Sequence, residues 1–235
     1  MYQHLDTGHV IKTVEALRSR ISQQFPESGL SRVCGELRDI ADRTVARSAE
    51  IERPQYVLRV FVFTLIVALV VFPVGTVILL HPEDETVEAL EFVQVLEAGM
   101  NVVVLIGAAV ISLITVETRV KRRRALNALH ELRSLAHIVD MHQLTKDPAT
   151  FSEGMPVGDR GSVMSAIELA RYLDFCSDML SLVGKIAAIY VEHFQDAVVL
   201  GAANEIETLV TGLSGKIWQK LSVVQQQNQR DIRAV

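Results

Sequence analysis

Residues 57–80 run VLRVFVFTLIVALVVFPVGTVILL, and residues 98–116 run AGMNVVVLIGAAVISLITV. The first segment holds one charge, Arg59, near its start; the second holds none. A helix needs roughly 20 apolar residues to cross the ~30 Å hydrocarbon layer of a bilayer. Both segments meet that length, so the sequence predicts a transmembrane helical hairpin. Amphipathic sequence lies on both sides, with no strand-like alternation of useful length. The expected fold is all-α: a two-span hairpin joined to a cytosolic bundle of N- and C-terminal amphipathic helices.

Lys and Arg placement sets the orientation. Arg43, Arg47, Arg53 and Arg59 precede or open the first segment, and Arg119, Lys121, Arg122, Arg123 and Arg124 follow the second. The connection, residues 81–97, holds Glu83, Asp84, Glu85, Glu88, Glu91 and Glu97 and no Lys or Arg. Both termini are therefore expected in the cytosol, with the acidic turn outside, in a plasma or bacterial inner membrane. No apolar core precedes Val57, so the first span is expected to serve as its own insertion signal.

Three parts follow: residues 1–53, cytosolic and amphipathic; residues 54–118, the hairpin; and residues 119–235, a cytosolic bundle. In the first part Val10, Val14, Leu17, Ile21 and Phe25 recur at helical spacing before Pro26, and Leu30, Val33, Leu37 and Ile40 form a second run. Arg53-Pro54 ends that run, because Pro disfavours the helical conformation of its predecessor. No Gly or Pro occurs between Gly107 and Pro148, and Leu126, Leu129, Leu132, Ala136 and Val139 keep helical spacing. One continuous helix is expected to leave the membrane there. Residues 148–161 have loop composition. Ser162 is a candidate cap for the next helix, which carries Ile167, Ala170, Leu173, Met179, Leu180 and Val183. A last helix starts near Asp196, a good N-cap residue. Ala203, Ile206, Val210, Leu213, Ile217, Leu221 and Val224 form its narrow stripe, and residues 225–235 are expected to fray.

Composition narrows the function. A net charge of −5 argues against a nucleic-acid binder, which usually carries a basic face. Cys34 and Cys176 sit in no metal or disulfide spacing and are expected as buried free thiols. His130 and His137 share a helix face but lie two turns, ~10 Å, apart, so they cannot share a metal ion without another helix; His142 lies off that face. Satisfied interior or interface histidines are expected. Asp174 and Asp178 share a face, with Arg171 as an ordinary partner. The run MPVGDRG is expected to be a plain flexible loop rather than an anion site. No nucleophile elbow or phosphate loop occurs, so no enzyme, cofactor or metal is expected.

The second span carries a polar stripe. Glu97, Asn101, Val104, Ala108, Ser112 and Thr115 fall within about 80° of arc, with Arg122 extending the line. On the first span Thr64, Ala68, Val71 and Gly75 form a small-residue face beside Pro73. Small residues permit close helix approach, and Asn, Ser and Thr hydrogen-bond across it. The stripe is therefore expected to pack against the other span or a second subunit, or alternatively to line an oligomeric pore with an acidic outer ring. Gly99-Met100-Asn101 is similar to the tripeptide of CorA-type magnesium channels. That family places it at the end of the first span, whereas here it opens the second, so no function is carried over. Arg119, Lys121, Arg122, Arg123 and Arg124 are expected to contact anionic head groups. The expected function is a non-enzymatic, homo-oligomeric scaffold or sensor that couples the bundle to the hairpin. The alternative is an ion channel or membrane-permeabilising effector lined by the second span.

Overall fold

The computed structural model describes residues 5–52, 56–80, 89–144 and 164–234. The described residues are helical throughout, without strands: α1 (Thr7–Gln24), α2 (Gly29–Glu52), α3 (Tyr56–Leu80), α4 (Ala89–Leu144), α5 (Ala166–His193) and α6 (Ala197–Ala234). Two compact units form. One comprises residues 1–52 and 122–235, and the other residues 53–121.

In the larger unit, α1 begins where the Asp6 carboxylate accepts the Gly8 amide (2.9 Å), and it buries Val10, Val14, Leu17 and Ile21. Glu27 turns the chain in the left-handed region (φ 60°). Leu30, Val33, Leu37 and Ile40 of α2 are buried in turn. The expected periodic faces are the core faces because water excludes apolar stripes wherever a helix has a neighbour. Phe25 stands edge-on to Tyr172 (5.5 Å) and Phe175 (6.2 Å), fastening the α1–α2 turn to α5.

α5 starts later than expected. Ser165 is its N-cap, in a reciprocal capping box with Glu168, while Ser162 lies outside the described residues. Ile167, expected in the core, is 61 % exposed; Leu169, Tyr172, Leu173 and Cys176 take the buried positions. Asp196 caps α6 through the Val198 and Val199 amides (3.0 and 3.2 Å). All seven stripe residues of α6, from Ala203 to Val224, are buried. The helix does not fray at residue 225 but continues to Ala234.

The run after Gly107 belongs to one helix, α4, of 56 residues. Leu129, Leu132, Ala136 and Val139 are buried and Leu126 partly so, joined by Ala125, Ala128 and Leu135. α6 lies parallel to this part of α4, cross-linked by Arg122–Asp196, Arg133–Glu205 (3.1 Å) and the Lys220 ammonium donating to the Gln143 carbonyl (2.8 Å).

Among the described residues, one helical stretch, Glu97–Leu144, is long and apolar enough to cross a membrane by length and composition, and no residue of its most apolar window is buried. The described apolar stretch of α3 is Arg59–Val71. Most of the expected acidic turn (residues 81–88), all of the loop (148–161) and Arg53-Pro54 lie outside the described residues.

Candidate functional site

Two stretches of α4 are candidate sites, each taken by itself: a polar row in the smaller unit, and a basic run of which Arg119 and Lys121 belong to the smaller unit and Arg122, Arg123 and Arg124 to the larger. Glu97, Asn101, Val104, Ala108, Ser112 and Thr115 are all exposed. The half-buried row of α4 is a different one, Val102, Ile106, Ala109, Leu113 and Glu117. Among the described side chains of α3, Val62, Ile66, Leu69 and Gly75 are buried or half-buried, while Thr64, Ala68 and Val71 of the expected small-residue face are exposed. The Arg59 guanidinium of α3 pairs with the half-buried Glu117 carboxylate of α4 (3.5 Å). The polar row thus stands about 100° around α4 from its covered row, the rotation of one residue. Two threonine hydroxyls are satisfied locally, Thr115 donating to the Ile111 carbonyl (2.8 Å) and Thr64 to that of Val60 (2.9 Å). The Asn101 carboxamide has no partner among the described residues.

The basic run divides by environment. Lys121 pairs with Glu117 one turn earlier (3.2 Å). Arg122 grips Asp196 with two donors: Nε at 3.0 Å and Nη2 at 2.8 Å from Oδ2. Hydrogen bonds from Arg122, then from the Val199 and Val198 amides, hold the Asp196 carboxyl below the usual carboxylate range, against an upward push from burial. Arg119, Arg123 and Arg124 are exposed, and Arg124 has contacts of its own. Asp196 was legible as a cap from its residue type. Its partnership with Arg122 was not, because 74 residues separate the two and periodicity carries no information across that distance.

Elsewhere the larger unit offers open grooves. One of about 760 Å³ lies between α1 and α5. Arg20 and Asp178 pair across it (3.5 Å), and Lys185 donates to the Ser181 hydroxyl (2.6 Å). Burial, reinforced by the Asp178 charge, pushes the Asp174 carboxyl up. Arg171, its expected partner, does not pair with it among the described residues. His130 and His137 are exposed rather than interior, and His142 is half-buried. Cys34 and Cys176 are buried thiols outside any disulfide, as expected. Among the described residues no three His, Cys, Asp or Glu side chains converge as metal ligands. No family model, curated protein or solved structure matches the chain.

Proposed function

We propose that the chain is a two-span protein of a plasma or bacterial inner membrane with both termini in the cytosol, and that it forms homo-oligomers through α4. In this reading it is a non-enzymatic scaffold or sensor. α3 and the first part of α4 form the membrane hairpin, and the bundle is the receiving part. The observation that carries the proposal is that α4 is one helix with two roles. Its candidate span leaves Asn101 and Ser112 on an exposed face, and its later turns put Leu129, Leu132, Ala136 and Val139 into the core. Within hydrocarbon an unpartnered carboxamide is costly, and a neighbouring helix is the usual source of a partner. A second copy supplies one.

The test is disulfide cross-linking of Asn101→Cys and Ser112→Cys variants in native membranes. Dimers at these two positions, with none at the α3 control Phe63→Cys, are expected. Uniformly monomeric protein would remove the oligomer from the proposal. Proteolysis from each side of sealed vesicles tests the orientation: the acidic turn should be cut only from outside.

The exposed row also favours a second reading, an oligomeric channel or membrane-permeabilising effector with Glu97 at its outer mouth. It predicts that Cys at 101 and 112 reacts with membrane-impermeant thiol reagents. A packed interface without water predicts that both stay inert.

A further inference from the structure

The Arg122–Asp196 pair joins two jobs in one carboxylate. Asp196 Oδ1 accepts the Val198 and Val199 amides and also Arg122 Nε (3.1 Å). Oδ2 takes Arg122 Nε and Nη2. The Asp196 side chain is nearly covered, at 9 % exposure, whereas the Arg122 side chain is 40 % exposed. Arg122 Nη1 takes no part in these bonds, and part of the side chain is open to solvent. Arg123 is exposed next to it and forms no ion pair among the described residues. A guanidinium presents five donors in a planar fork that fits phosphate as well as carboxylate.

We infer that Arg122 exchanges between Asp196 and the phosphate of an anionic lipid head group, so that bilayer charge loosens the first turn of α6. The inference rests on the proposal that α4 crosses the bilayer. On that reading Arg122 follows the span's last residue, Val116, by six positions, about 9 Å of helix rise. Attraction of one basic residue to an anionic surface is comparable in size to a partly exposed ion pair. The two partners are therefore near balance, and the surface charge of the leaflet can decide between them. Losing Arg122 frees the Asp196 carboxylate to swing, and the Val198 and Val199 amides lose a fixed acceptor. The first turn of a helix is where such a loss is read as local opening.

Hydrogen exchange on the full chain in lipid nanodiscs tests this. Exchange at Val198 and Val199 is expected to be roughly twofold or more faster in discs containing phosphatidylglycerol than in phosphatidylcholine discs. In Arg122→Gln exchange should be fast in both lipids and independent of their charge, with the rest of α6 as protected as in the parent. Inorganic phosphate added to phosphatidylcholine discs should leave exchange unchanged. Acceleration by inorganic phosphate alone overturns the head-group assignment in favour of a soluble anion. Equal exchange in the two lipids, or a lipid effect that survives Arg122→Gln, overturns the exchange itself. A chain that fails to co-purify with discs overturns the membrane proposal, whereas a chain that incorporates and is indifferent to lipid charge overturns only this inference.

Discussion

Tyr190 on α5 donates its hydroxyl proton to Thr44 Oγ1 on α2 at 3.1 Å, and Thr44 in turn donates to the Ile40 carbonyl at 2.7 Å. Both side chains are wholly buried. On the neighbouring turn Arg47 pairs with Glu131 of α4 (2.9 Å) and also feels the Tyr190 hydroxyl. A short polar chain thereby links three helices, running from the buried Tyr190–Thr44 pair to the partly exposed Arg47–Glu131 pair. Each link is specific because a buried polar group left without a partner costs more than the bond contributes.

The chain is directional, which predicts unequal costs. Thr44→Val strips the acceptor from a buried hydroxyl and should destabilise by about 1–3 kcal/mol. Tyr190→Phe leaves Thr44 with its own proton satisfied, and should cost about 1 kcal/mol. The double variant should fall short of the sum by roughly 1 kcal/mol, since no hydroxyl is then stranded. Chemical denaturation followed by helical circular dichroism measures all three. Strict additivity would show that the bond couples nothing.

Asp196 predicts an acid limb. Its carboxyl is held low in the folded protein, chiefly by Arg122. Its contribution is therefore complete above the unfolded value, ~3.9, and is lost as pH falls through the lower folded value. Melting temperature should decline below about pH 4, and more gently in Asp196→Asn, which no longer titrates there. Near pH 7 Asp196→Ala should cost about 1–2 kcal/mol, from the cap and a solvent-screened pair, and Asp196→Asn less, because Asn still caps. A steeper acid limb in the Asn variant would contradict the assignment.

How much of this was legible in the sequence depends on distance along the chain. The faces of α1, α2 and α6 follow from spacing alone, because each helix has one covered side and its apolar residues repeat every three or four positions. α5 was legible only in part. It is covered on several sides, so Leu169, Tyr172, Phe175 and Cys176 are buried together with Leu173 and Met179, and no single stripe marks its core. The polar row of α4 was visible, but which row meets α3 was not. In an apolar span both candidate faces are greasy, and the choice rests on contacts such as Arg59–Glu117, 58 residues apart.

That difference at the start of α5 can be measured. Ile167 is exposed, so Ile167→Ser should change stability by no more than about 0.5 kcal/mol. Leu169 is wholly buried, and Leu169→Ala should cost about 2–5 kcal/mol. The comparison uses residues two positions apart, so the same thermal unfolding assay serves both. Equal losses would return Ile167 to the core.

The native thiols should be silent in the folded chain. Burial pushes the Cys34 thiol up to about 11, against a smaller lowering by Arg18. At pH 8 only about 0.1 % is thiolate, the reactive form. Cys176 is equally enclosed. Maleimide labelling read by intact mass should add nothing to folded protein and two groups in denaturant. Labelling of folded protein at the denatured rate would refute the burial. A silent background also means that introduced cysteines at 101 and 112 report on themselves alone.

Gly184 tests the contact between α5 and α6 most sharply. A Cβ placed there would lie 3.3 Å from Val210 Cγ2, tight enough that Val210 must yield by a few tenths of an ångström. Against that strain stands a gain of about 1 kcal/mol in helix propensity for Gly→Ala. The two nearly cancel, so Gly184→Ala should lie within about 0.5 kcal/mol of the parent. Val210→Ala removes the obstructing methyls. In that background Gly184→Ala should become stabilising by most of the propensity gain, about 0.5–1 kcal/mol. Gly184→Leu finds no such relief and should cost about 1–3 kcal/mol by forcing the two helices apart. If Gly184→Ala stabilises equally whether or not Val210 is present, Val210 does not limit the approach, and the α5–α6 interface is looser there than 3.3 Å implies.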